Sequence, residues 1–155
     1  MNWTLSHRAD PEARVLADRH YNRQKPGAPQ FVPPGRCLVL KRPDAFWVTS
    51  WPFAEYVKHA WPGAFVCSAF RNEGPVLSST LIREAVAATV WKWPDVPDEG
   101  MVTFVDRRKV RKGNPGYCYQ KAGFARVGHT KGGLVALQLF PWDFPEPEEP
   151  RDAQG

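Results

Sequence analysis

The forty residues from Gly100 to Leu139 constrain this chain more than any other part. Met101-Val-Thr-Phe-Val-Asp106 is a short apolar run ending in an acid, introduced by a glycine. Such a run reads as a strand buried on both faces of a sheet. Tyr117-Cys-Tyr-Gln-Lys-Ala-Gly-Phe124 follows as a short helix closed by Ala-Gly-Phe, and residues 127–139 read as a two-stranded return. A buried strand, a helix and a returning pair belong to an α/β domain with a mixed sheet.

The rest of the chain fits one such domain. At 155 residues and 43% apolar composition it suits a single core. No run approaches the roughly 18 apolar residues of a membrane span, and the first eight residues lack a signal peptide's apolar stretch, so a cytoplasmic protein with no membrane partner is expected. Cys37, Cys67 and Cys118 are odd in number and lack Cys-x-x-Cys spacing, which suggests neither a disulfide framework nor a zinc knuckle. The net charge of +5 conceals an asymmetry. Residues 141–155 hold five acids and one base, leaving 20 bases against 11 acids upstream. A body this basic favours an anionic partner: nucleic acid, the phosphates of a coenzyme or an acidic protein. The tail has four prolines in fifteen residues, so the expected division is a domain over 1–140 and a tail disordered beyond Phe144.

Upstream, residues 3–6 read as an edge strand. Asp10 before Pro11 starts a helix expected over 11–22. Residues 24–35 carry four prolines and two glycines and form a loop. The runs 37–41 and 45–50 flank Arg42-Pro-Asp44 as an antiparallel pair, and 64–70 is a further strand. Ser78 and Ser79 can cap a helix running to about Trp91, whose apolar face (Leu81, Ile82, Ala85, Val86, Ala88, Val90) is broad. The expected order is β-α-β-β-β-α-β-α-β-β.

That order, with Tyr119-Gln-Lys-Ala-Gly-Phe124 placed after the strand ending at Asp106, resembles the GNAT (Gcn5-related N-acetyltransferase) superfamily over residues 3–140. The resemblance implies a splayed central sheet open between its fourth and fifth strands, here 64–70 and 101–105, with an acyl donor entering the opening. His20-Tyr-Asn-Arg23, Phe70-Arg-Asn-Glu73, Ser78-Ser79 with Leu81-Ile82, and the 101–106 strand together look like the Mom-like phage subgroup, whose namesake modifies adenine in DNA at its N6 amine. Modification of a DNA base is what that likeness implies, with a small-molecule group donor and a metal as further expectations. Acetyl-CoA is the ordinary donor of the superfamily. Its phosphate loop matches Arg71-Asn-Glu-Gly-Pro-Val76, in which Arg71 and Gly74 fit the pattern, whereas Pro75 has no N–H to donate and Val76 replaces a small residue.

Each residue singled out has a structural reading beside the functional one. His20 and Tyr21, at the end of the first helix, and Asp106, at the end of a central strand, are candidates for proton transfer or metal ligation. Favourable placement of a histidine at a helix C-terminus and a turn-forming aspartate are the alternatives. Arg71 suits a phosphate or carboxylate of the donor, Asn72 an amide or base edge, and Glu73 a proton. Gly74, Ser78 and Ser79 would complete an anion site at the helix start, the serines otherwise serving as caps. Tyr119 is the match for a tyrosine that protonates a departing thiolate, with packing as the other reading, and Tyr117 stands beside it. Arg107, Arg108, Lys109, Arg111 and Lys112 put five bases in six positions, suited to a phosphate backbone or to a solvated loop. Trp47, Trp51, Phe53, Tyr56 and Trp61 can stack on an extruded base or pack a core. Two other functions remain open: an acetyl-CoA-dependent N-acetyltransferase acting on a small amine or a protein, and a non-catalytic domain that binds nucleic acid.

Overall fold

A computed structural model describes residues 1–19, 32–33, 35–108 and 116–153. Among the described residues the chain is a mixed α/β domain built on one seven-stranded sheet with three α-helices. Its strands are β1 (Thr4–Leu5), β2 (Cys37–Arg42), β3 (Ala45–Ser50), β4 (Phe65–Asn72), β5 (Met101–Val105), β6 (Ala125–His129) and β7 (Val135–Leu139); its helices are α1 (Pro11–Asp18), α2 (Ser78–Lys92) and α3 (Tyr117–Lys121). Element for element this is the order expected from sequence. The strands lie in the order β1-β2-β3-β4-β5-β7-β6, and only the β4–β5 pairing is parallel.

Period-two alternation divides the core between two faces. Leu38, Leu40 and Trp47 lie in the larger apolar cluster with Leu81, Ile82, Ala85 and Val86 of α2 and Tyr119 of α3. Val39, Phe46 and Val48, the residues between, join Ala13, Leu16 and Ala17 of α1 in the smaller one. One helix therefore covers one face, and two cover the other. All six residues of the broad apolar face read from the α2 sequence are buried, together with Ala87 and Thr89.

Asp10 caps α1 by accepting from the Glu12 amide at 2.9 Å, with Pro11 in the first turn. The helix ends at Asp18, and positions 20–22 of the expected span lie outside the described residues. Burial would raise the Asp10 pKa. Hydrogen bonds from Lys41, from Ser6 and from the Glu12 amide outweigh it and bring the pKa down to about 2. A carboxylate whose pKa is depressed on folding stabilises the native state above its unfolded pKa, near 4, and that contribution fades as pH falls toward 2. Urea unfolding is therefore expected to show the parent losing about 1–2 kcal/mol more than Asp10→Asn between pH 4 and pH 2. Parallel pH profiles for the two proteins would contradict this.

The tail corrects the sequence reading. The Leu5 amide donates to the Arg151 carbonyl and the Arg151 amide to the Trp3 carbonyl, both at 2.9 Å, in a parallel bridge beside β1. The Glu148 amide donates to the Ala87 carbonyl at 3.1 Å. Prolines prevent a continuous ladder here, but single backbone groups between them still find partners. Among the described residues, no helix is long and apolar enough to cross a membrane.

Candidate functional site

The parallel pairing of β4 with β5 joins only Phe65 to Met101, Val66 to Val102 and Cys67 to Thr103. Beyond that point β4 continues against β3 as far as Asn72, while β5 continues against β7. A bulge between Val48 and Thr49 marks where β4 bends away. The sheet parts at its centre. The Thr103 hydroxyl closes the last paired position by donating to the Cys67 carbonyl at 3.0 Å.

Tyr119 lies where the pairing ends. Its hydroxyl is 3.5 Å from the Cys67 sulfur, and its ring meets Phe70 and Phe124 edge-on at 6.3 and 5.4 Å. Burial pushes its pKa well above that of a free phenol, so the hydroxyl keeps its proton at neutral pH. Burial also drives the Cys67 thiol up to about 12, which makes it an inert sulfur. Cys37, Cys67 and Cys118 are all free thiols. Tyr117, by contrast, is exposed.

The polar cluster at the end of β4 is bound up with distant segments. Arg71 donates from Nε to Glu73 at 2.6 Å and from Nη1 to the Arg19 carbonyl at 3.0 Å, and the Arg19 guanidinium reaches the other oxygen of Glu73. The hydrogen bond from Arg71, aided by Arg19, holds the Glu73 carboxyl below its ordinary value, which makes it a weak base. Asn72 donates to the Val76 carbonyl at 2.7 Å and to the Ser78 hydroxyl at 3.1 Å, and accepts from the Gly74 amide at 3.0 Å, bracing the loop into α2. A Cβ on Gly74 would fall 1.9 Å from the Asp44 carboxylate, so the absence of a side chain there lets the β2–β3 turn close on this loop. Ser78 and Ser79 are not the caps that the sequence suggests. Leu77 occupies the capping position with no side-chain bond, and Ser78 is already inside the helix.

Asp106 is buried at the end of β5. It accepts from the Arg108 amide at 3.0 Å and from its guanidinium at 3.2 and 3.3 Å, in the turn that follows β5. Arg107 and Arg108 are exposed. Lys109, Arg111, Lys112, His20 and Tyr21 lie outside the described residues, so the possible gathering of His20 and Tyr21 with Asp106 does too. Among the described residues, no three His, Cys, Asp or Glu side chains gather as a metal site.

The aromatics divide between the two readings. Trp47 is fully buried and donates to the Thr49 hydroxyl at 2.7 Å. Trp51 packs on Phe65 and Trp93, with the Arg36 guanidinium 4.1 Å above its ring. Phe53 and Tyr56 are exposed. Trp61 lines a second cleft with His59, a residue that sequence reading passed over because a single loop histidine carries no spacing signal.

Compared with protein-family models, curated proteins and solved structures, the chain matched none.

Proposed function

We propose that this chain is a group transferase of GNAT-like build that acts on an amine, preferably the amine of a DNA base, and draws the group from a small-molecule acyl donor. The observation that carries the reading is the parting of β4 from β5 directly beside the Tyr119 hydroxyl. In the reaction proposed, the amine nitrogen attacks the acyl carbon, the bond from that carbon to the donor's leaving atom breaks, and Tyr119 supplies the leaving atom's proton. Asp106, just past the end of β5, is the carboxylate suited to taking the proton lost by the amine. Arg107 and Arg108, exposed beyond β5, suit the phosphates of a strand. Acetyl-CoA as donor fits less well, since Pro75 removes an amide from the loop that would hold its pyrophosphate.

A second reading, a domain that binds nucleic acid without catalysis, is favoured by a specific observation. Glu73 and Asp106, the two carboxylates available for proton transfer, are both engaged by arginines.

Mass spectrometry of nucleosides from DNA of expressing cells separates the two. The parent is expected to produce a new nucleoside whose mass names the transferred group. Tyr119→Phe and Asp106→Asn, which preserve the ring and the turn-forming oxygen, are each expected to lower its yield about a hundredfold. Unaltered DNA together with salt-sensitive DNA binding would favour the binding domain. Unchanged yield in both variants would remove this site from the chemistry.

A further inference from the structure

Residues 58–61, in the connection from β3 to β4, meet the β6–β7 turn and border a cleft of about 440 Å³. Its lining includes Lys58, His59, Trp61, His129, Thr130 and Lys131, with no carboxylate among the described residues. That volume suits a small ligand, and the side chains favour an anion with an aromatic part. The His59 ring packs against Phe104 at 5.2 Å, two residues before Asp106, and Trp61 meets the same phenylalanine at 5.9 Å. Val105 pairs with Val135, so the turn bordering the cleft adjoins the end of β5 that bears Asp106.

His59 supplies the more specific sign. Its Nδ1 accepts from the Trp61 amide at 3.0 Å, so in the neutral ring the proton sits on Nε2. Burial lowers its pKa below the ordinary histidine value, which keeps the ring neutral at pH 7. Nε2 is itself buried and has no hydrogen-bond partner among the described residues. A buried donor without an acceptor is costly, and a ligand oxygen would remove that cost.

We propose that this cleft is a nucleoside-phosphate site, in which Lys58, Lys131 and the Nε2–H of His59 hold the phosphate while Trp61 stacks on the base. The same chemistry is offered by a free mononucleotide and by one unit of a single strand. Stacking of a base on an aromatic ring tolerates any base, so the site would be unselective in sequence. It goes beyond the transferase reading, and its occupancy is measurable without turnover.

The test is calorimetric titration of the full chain with deoxyadenosine monophosphate, deoxyadenosine, inorganic phosphate and a single-stranded oligonucleotide. The parent is expected to bind the monophosphate more tightly than deoxyadenosine or phosphate. His59→Phe keeps the ring and removes the donor, and is expected to weaken binding about tenfold; the paired change Lys58→Ala, Lys131→Ala, on exposed side chains, should do at least as much. His59→Phe also removes the acceptor of the Trp61 amide, so its unliganded melting curve is recorded beside the titration, and a retained cooperative transition separates lost binding from lost folding. Binding of the oligonucleotide alone, with the same sensitivity to both variants, would assign the site to a strand. Failure of both nucleotide ligands to bind, or affinities unchanged by both variants, would overturn the proposal. Neither result bears on whether a modified nucleoside forms.

Discussion

Gly100→Ala is expected to destabilise the native state by about 3 kcal/mol or more, seen as a lowered urea midpoint with the slope unchanged. Gly100 has a φ of 65°, in the left-handed region, and a Cβ there would lie 2.0 Å from the Leu139 carbonyl oxygen. The backbone conformation alone costs an L-residue roughly 1–2 kcal/mol, and the contact falls on main chain, which cannot rotate aside. The Gly100 carbonyl also accepts from the Phe65 amide at 2.9 Å, so a shift at this position would disturb the start of the single parallel pairing. Gly133→Ala provides the comparison. Its φ of 85° is similar, but a Cβ would meet nothing within 4 Å, so its cost should be close to that of the conformation alone. Equal losses in the two variants would mean that the Leu139 carbonyl yields and that the close approach has no energetic weight.

Ending the chain at Phe144 is expected to lower stability by about 2–3 kcal/mol, the net of the lost backbone bonds less the freedom regained by the removed segment. Besides the bridge beside β1, Arg151 donates from Nε to the Met1 carbonyl at 2.9 Å, and Glu148 lies 3.4 Å from the N-terminal ammonium. Phe144 is kept because its ring packs against Phe65 at 6.3 Å. A melting temperature equal to that of the full chain would restore the sequence expectation of a loose tail.

That disagreement shows what the sequence can and cannot disclose. Strand and helix order was legible because it follows from local rules: the apolar runs of β2 and β3 either side of Arg42-Pro-Asp44, Pro11 after Asp10, and the apolar run of β5. The tail was not legible, since its order depends on Trp3 and Leu5, far away in the chain, offering backbone groups to Arg151. The polar cluster at 71–73 was legible as a cluster, but its partners were hidden. Arg19 and Asp44 meet it only after α1 and the β2–β3 turn have packed. Ser78 was misplaced by a single position, because a serine looks like a cap whether it precedes the first turn or belongs to it. His59 acquires meaning only through Phe104 and Trp61, which chain order separates and the sheet brings together.

The three residue pairs joining β4 to β5 also decide how the centre of the sheet is held. Four strands on one side and three on the other share a short seam, and the rings of Phe70, Tyr119 and Phe124 meet edge-on in the core that packs against it. Each half of the sheet is therefore held chiefly by its own antiparallel ladders, and the seam between the halves contributes the fewest backbone bonds.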